Sequence, residues 1–280
     1  MTQPSNPGEP QKYFRSSALT AGIKRLVGKL GIKAKGERLS DAQFSALDAL
    51  KCRIGYNKYG AYCLPDSSLH RTATRKVLHG EVYEPQTIAF MRQNCAGGDI
   101  IHAGTYFGDF LPGLAQACSP KTKIWAFEPN PESFRCAQIT VLLNDLDKVT
   151  LTNAGLGSQQ GKLAIRTKDE SGRGLGGKSQ IVDPGELDPT LYQHVDIVAV
   201  DSIVERNRPV SIIQLDVEGF EEAALSGALH TIHKNLPILI LEIGRKSQLL
   251  DNTWFSANIL SLGYKPTGTL HSNTVFECGE

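Results

Sequence analysis

From residue 99 onward the chain repeats a pattern that few folds can accommodate: short, largely apolar runs separated by amphipathic helical segments. The runs fall at 99–103, 123–127, 149–153, 162–167, 194–200, 211–215 and 237–242. A strand with one wet face alternates apolar and polar side chains, whereas a strand covered on both faces does not need to. Helical spacing at 110–118, 131–144 and from 220 onward fills the intervals. Strands alternating with helices predict an α/β fold with a mostly parallel sheet flanked by helices. Residues 260–276 read as a helix end and a terminal strand pair, and no internal repeat is visible.

The first part of the chain reads differently. Residues 1–12 are polar and proline-rich and read as disordered, and 16–50 suggest two short helices interrupted between Gly28 and Gly36. The stretch 56–65 is aromatic and glycine-rich, an irregular segment or a hairpin. Residues 84–94 fit a helix with proline in its first turn and Ile88 and Met91 facing inward. The expected organisation is therefore a helical or irregular extension over 1–94, serving as a lid or a dimerisation element, and one domain over 95–280.

Bulk properties narrow the function classes. Thirty basic residues against 29 acidic ones leave a net charge of +1, no global field for nucleic acid. No apolar run approaches the roughly 20 residues of a bilayer span, and the amino terminus lacks the apolar core of a signal peptide. The six cysteines include no C-x-x-C pair, so a zinc site is not expected and free thiols in the cytoplasm are. A homo-oligomer is compatible with all of this.

Open parallel sheets bind ligands past the carboxyl ends of their strands. The first such position is His102-Ala103-Gly104-Thr105-Tyr106-Phe107-Gly108, where glycines let the backbone approach a ligand. About one βα unit later comes Phe127-Glu128-Pro129-Asn130. A carboxylate there accepts hydrogen bonds from a ribose diol, and Asn130 is the better cap for the helix that follows. The pairing favours an adenosine-bearing cofactor. The turn lacks G-x-G-x-x-G and any Walker lysine, which suits S-adenosylmethionine better than a pyrophosphate cofactor such as NAD. A third cluster, Asp216 and Glu218, crowds two carboxylates past a strand end, and Glu242 should open beside them. These acids could bind a metal, orient a hydroxyl or take its proton. His102 could position the cofactor, while His230 and His233, one helical turn apart, read as a solvated helix end.

At these residues the chain resembles the FkbM-type methyltransferases. The likeness runs from about Gly97 to Glu242 and is carried by AFEPNPESF (126–134), NAGLGSQQG (153–161), VDS (200–202), QLDVEGFE (214–221) and ILILE (238–242), in order. It implies a class I, Rossmann-like methyltransferase fold of seven strands with the last reversed, and methyl transfer from S-adenosylmethionine to oxygen, leaving S-adenosylhomocysteine. Carried over, it places His102, Ala103, Gly104, Thr105, Phe107, Gly108, Glu128, Pro129, Asn153, Ala154 and Asp216 at the cofactor. Asp216, Glu218 and Glu242 become the candidate bases, Asp216 first. The implied acceptor is a hydroxyl of a sugar, glycan or small natural product. Magnesium held by Asp216 and Glu218 is the less favoured version, and a non-catalytic or NAD-type cofactor protein the rival of another class. The chain departs from the family in two places: His102 stands where members usually carry aspartate, and Gln214 where they commonly carry lysine.

Overall fold

The computed structural model describes residues 50–182, 188–243 and 249–279. The two helices expected within 16–50, and the irregular amino terminus, lie outside those residues. Seven strands form the main sheet: β3 (Asp99–Ala103), β4 (Ile124–Phe127), β5 (Val149–Thr152), β10 (Val210–Leu215), β11 (Ile238–Glu242), β12 (Tyr264–Leu270) and β13 (Asn273–Cys278). Their order is β12-β13-β11-β10-β3-β4-β5, parallel throughout except that β13, the last strand in sequence, runs against both its neighbours. This is the class I arrangement that the sequence implied.

The apolar runs have a direct physical reading. Ile101, Trp125, Ile213 and Leu239 point into one buried cluster, whereas Ile100, Ile124, Ile212 and Ile240 point into another on the opposite face. Both sets of alternate side chains are dry, so neither set is polar. The second cluster is covered by α2 (Pro85–Asn94) and α3 (Leu111–Ala117), with Ile88 and Met91 fully buried as expected. Asn130 caps α4 (Pro131–Leu143): its side-chain oxygen accepts from the amides of Glu132 and Ser133.

Two segments depart from the sequence reading. The runs at 162–167 and 194–200 do not extend the main sheet. They become β7 (Gly161–Arg166) and β9 (Tyr192–Val198) of a separate sheet, ordered β6-β9-β7-β8, with β6 at Gly155–Leu156 and β8 at Gln180–Val182. The reason is burial: β9 hides only Val195 and Ile197, which pack with Ile165 on one face, and the other face is wet. Residues 200–203 are a helical turn rather than a strand end, and Asp201 accepts from the amides of His230 and Thr231 at the start of the helix Leu229–Asn235.

The stretch 56–65 is the second half of a hairpin, β1 (Cys52–Asn57) with β2 (Gly60–Pro65). The outer edge of β2 is not left open, because Ala61 N donates to Asn144 Oδ1 and Cys63 N to Thr140 Oγ1, both on or beside α4. Tyr62, Leu64 and Val77 of this region share one buried cluster with Tyr106, Phe107 and Cys136. Thus the described part of the extension is packed onto the sheet domain beside the glycine turn. Among the described residues, no helix is long and apolar enough to cross a membrane, and all six cysteines are free.

Candidate active site

Strand register assembles the site. Ala103 pairs with Phe127 on one side and Leu215 on the other, and Leu215 pairs with Leu241. The next residue after each of these aligned positions is Gly104, Glu128, Asp216 or Glu242. Four functional candidates therefore emerge level along one edge of the sheet. The connections from β3 and β10 leave in opposite directions, which opens a crevice between those two strands. Gly104 makes the close approach there: at φ +81° its backbone suits glycine, and a Cβ would lie 1.9 Å from the Asp216 carbonyl oxygen.

Two cavities meet at this crevice. The first is a narrow slot between the main sheet and the small one, lined by Ala103, Phe127, Glu128, Pro129, Ala154, Leu156 and Ile165. Its polar lining is Glu128, Ser179 and Asp216; Glu128 is buried and accepts from Tyr106 N at 2.7 Å and Asn130 N at 2.8 Å. Burial pushes its carboxyl up to about 8, with those two amides pulling the other way and the charge of Asp109 adding to the rise. The second cavity, about 230 Å³, is lined by His102, Asp216, Glu218 and Glu242 and shares Gly104, Gly177 and Asp216 with the slot.

The structure brings the three acids together as the sequence suggested. One carboxylate oxygen each from Asp216, Glu218 and Glu242 lies within 4.8 Å of the others. Asp216 Oδ1 is buried and without a hydrogen-bond partner. Burial and the neighbouring Glu242 raise its carboxyl well above the usual range, and burial raises Glu218 as well. Helix capping and ion pairing do not account for Glu218 and Glu242. Glu221, not Glu218, accepts from Gly219 N at the start of the helix Glu221–Ser226. Glu242 accepts from Ser272 Oγ at 2.9 Å and makes no ion pair among the described residues.

His102 and Gln214, the two departures from the family pattern, are register partners on adjacent strands and are bonded to each other. The Gln214 oxygen can only accept, so His102 Nδ1 carries the proton and Nε2 presents a lone pair. That Nε2 is buried without a partner in a residue only 2 % exposed, and the ring stacks on Phe110 at 5.2 Å. Burial lowers its pKa to about 4, so the imidazole is neutral at pH 7. An aspartate and a lysine at these positions would form a charged pair. Here the pair is neutral.

Other nominated residues support the site from outside the cavities. Asn153 is exposed, and its side-chain amide donates to the Glu128 and Pro129 carbonyls, holding that turn. Thr105, Phe107 and Gly108 are buried inside the glycine turn and line neither cavity. His230 and His233 are exposed on their helix and line neither cavity.

Several cavity residues escaped the sequence reading. Glu84 is buried with a left-handed φ of 43° and accepts from Thr87 Oγ1 and Asn273 Nδ2. Asp109 directly follows the glycine turn, and burial together with Glu84 pushes it up to about 8. An acid opening an otherwise apolar helical run was the available signal for Asp109. Glu84, Tyr83 and Arg71 come from the extension, where no motif marks them.

Residues 102–264, more than half of the chain, match the Methyltransferase FkbM domain. Among solved structures, an FkbM methyltransferase from Methylobacillus flagellatus KT is 19% identical over 65% of this chain, with a TM-score of 0.45. The chain spans 43% of the length of that protein. TYW2 of M. jannaschii, solved with AdoMet, is 11% identical over 82% of this chain and 88% of its own, with a TM-score of 0.45. No curated protein matches the chain.

Proposed function

The chain belongs to the FkbM methyltransferase family, with S-adenosylmethionine as its cofactor, and we propose that it transfers the methyl group to a hydroxyl of a sugar, glycan or related small natural product. The observation that carries this reading is the meeting of the Glu128 slot with a cavity holding three convergent carboxylates. A hydroxyl must lose its proton as it is methylated. Carboxylates with raised pKa values are suited to take that proton near neutral pH. A pure cofactor sensor has no use for them.

The residues present fit the cofactor. Glu128 is placed to accept from a ribose diol, with Ala103, Pro129 and Ala154 packing beside it. The neutral His102 Nε2 offers an acceptor where the slot opens into the cavity, suited to an ammonium at the cofactor's amino-acid end. When bound, S-adenosylmethionine supplies an activated methyl group. Asp216 is the preferred proton acceptor because it borders both cavities, and Glu242 and Glu218 help set its proton affinity. The packed extension contributes Arg71, Tyr83 and Glu84 to the acceptor wall, the role of a lid.

Methyl-labelled S-adenosylmethionine, incubated with sugars, glycosides and polyketide-derived alcohols matched to their amino analogues, is expected to label the hydroxyl members. Labelling confined to nitrogen or carbon overturns the oxygen assignment. Calorimetry with S-adenosylhomocysteine and NAD in parallel separates this from an oxidoreductase. The 4.8 Å acid cluster also supports a second reading, in which Asp216, Glu218 and Glu242 hold magnesium beside the acceptor. Its signature is turnover lost to a chelator and restored by magnesium.

A further inference from the structure

The second cavity is electrically lopsided. Its lining carries the acids Glu84, Asp109, Asp216, Glu218 and Glu242 against the cations Arg71 and Lys178. Arg71 occupies the entry to α1 (Thr72–Leu78), and its Nε is buried with no hydrogen-bond partner. Lys178 ends the short 3-10 turn Gly176–Lys178 on the glycine-rich loop that also lines the cavity. Among the described residues neither cation forms an ion pair, although neighbouring cations do: Arg173 meets Asp169 at 3.1 Å and Arg53 meets Asp66 at 3.2 Å. Glu218 is near enough for both charges to pull its carboxyl down against burial, yet no bond forms. A buried guanidinium N–H without an acceptor is costly, and the cost is removed when a ligand supplies one.

The two backbone segments that carry the cations are packed against each other. A Cβ on Gly174 would lie 2.7 Å from Ser67 Oγ, and one on Gly176 would lie 2.5 Å from Tyr106 Oη, so the glycine-rich loop is seated against the segment leading to Arg71. Tyr106 Oη in turn bonds the side chains of Ser68 and Thr74. Gly174 and Gly176 are what allow this contact with the extension.

We infer that Arg71 and Lys178 form an anion subsite, and that the acceptor is a hydroxyl compound carrying an anionic group such as a phosphate ester or a carboxylate. The inference rests on the proposed transfer to a hydroxyl, with the reacting hydroxyl at the acids and the anion at the two cations. A bidentate guanidinium suits either group.

The test is calorimetric, on the full chain saturated with S-adenosylhomocysteine. Inorganic phosphate is expected to bind saturably, and Arg71→Met and Lys178→Met are each expected to weaken it about tenfold, the loss of one charge-assisted contact. Glucose 6-phosphate and glucuronate, each compared with glucose, distinguish a phosphate from a carboxylate. Phosphate binding that is absent, or equal in wild type and both variants, overturns the subsite. A matching loss of S-adenosylhomocysteine affinity in Arg71→Met also overturns it, because the anion would then be the cofactor's own carboxylate. If Arg71→Met loses its cooperative melt, exposed Lys178 decides the question alone. Failure of wild type to bind S-adenosylhomocysteine at all sinks the methyltransferase reading instead, so the two failures are distinguishable.

Discussion

Asp216→Asn is expected to lower turnover by about 10²- to 10⁴-fold, the usual contribution of a positioned general base, while leaving S-adenosylhomocysteine affinity nearly unchanged. Asparagine keeps the volume of the side chain and does not disturb the backbone bond from Asp216 N to the Ala103 carbonyl, 3.1 Å long. It removes only the oxygen that takes a proton. Burial and the adjacent Glu242 raise the Asp216 carboxyl well above the ordinary range, so the wild-type rate should climb with pH as that proton is lost. The variant should lose this limb of the profile. Single-turnover rates across pH, measured beside the affinity for S-adenosylhomocysteine, separate the two effects. Unchanged turnover removes Asp216 from the chemistry. Equal loss in Glu242→Gln, with chelator sensitivity in wild type, moves the reading toward the metal-assisted version.

The sheet was legible because its chemistry is periodic. Residues such as Ile100 and Ile101 must both be apolar when both faces of a strand are dry, and that constraint shows in a single chain. The acids past the strand ends were legible for a related reason: Glu128, Asp216 and Glu242 each follow an apolar strand run directly, where the next side chain faces the ligand edge of the sheet. The strands of the small sheet were found but misplaced, since a run such as 162–167 records burial and not its neighbour. Pairing between β7 and β9 depends on a long connection whose geometry no local pattern encodes. The rest of the cavity was illegible for a different reason. Arg71 and Glu84 reach it only because the β1–β2 hairpin and α2 pack beside the glycine turn, and their sequence context resembles any exposed loop. The His102–Gln214 bond shows the same limit, because two departures 112 residues apart become one feature only after β3 and β10 pair in register.

Glu128→Ala is expected to weaken S-adenosylhomocysteine binding by about tenfold for each ribose hydroxyl that loses its acceptor, or roughly 100-fold for the diol. The pH dependence of the wild type gives a sharper test. In the ligand-free chain, burial holds the Glu128 carboxyl at about 8, against 4.5 for an ordinary glutamic acid. The folded chain therefore keeps a proton that the unfolded chain has released. Stability from this group is fully present below the ordinary carboxylate range and is lost as pH rises through about 8. Asp109, likewise held at about 8, adds a slope of the same sign. Glu128→Gln, which cannot ionise, should flatten part of the fall in melting temperature across this window and leave the part due to Asp109. Ligand binding should run the opposite way. A diol donates most strongly to an ionised carboxylate, so the ligand selects the deprotonated form, expels the proton and binds more tightly as pH rises toward 8. Titrations in buffers of different ionisation enthalpy count that proton directly. An affinity independent of pH, with no proton released and no loss in Glu128→Ala, would leave Glu128 as a buried clamp on the amides of Tyr106 and Asn130. The adenosine would then have to find its hydroxyl acceptor elsewhere along the slot.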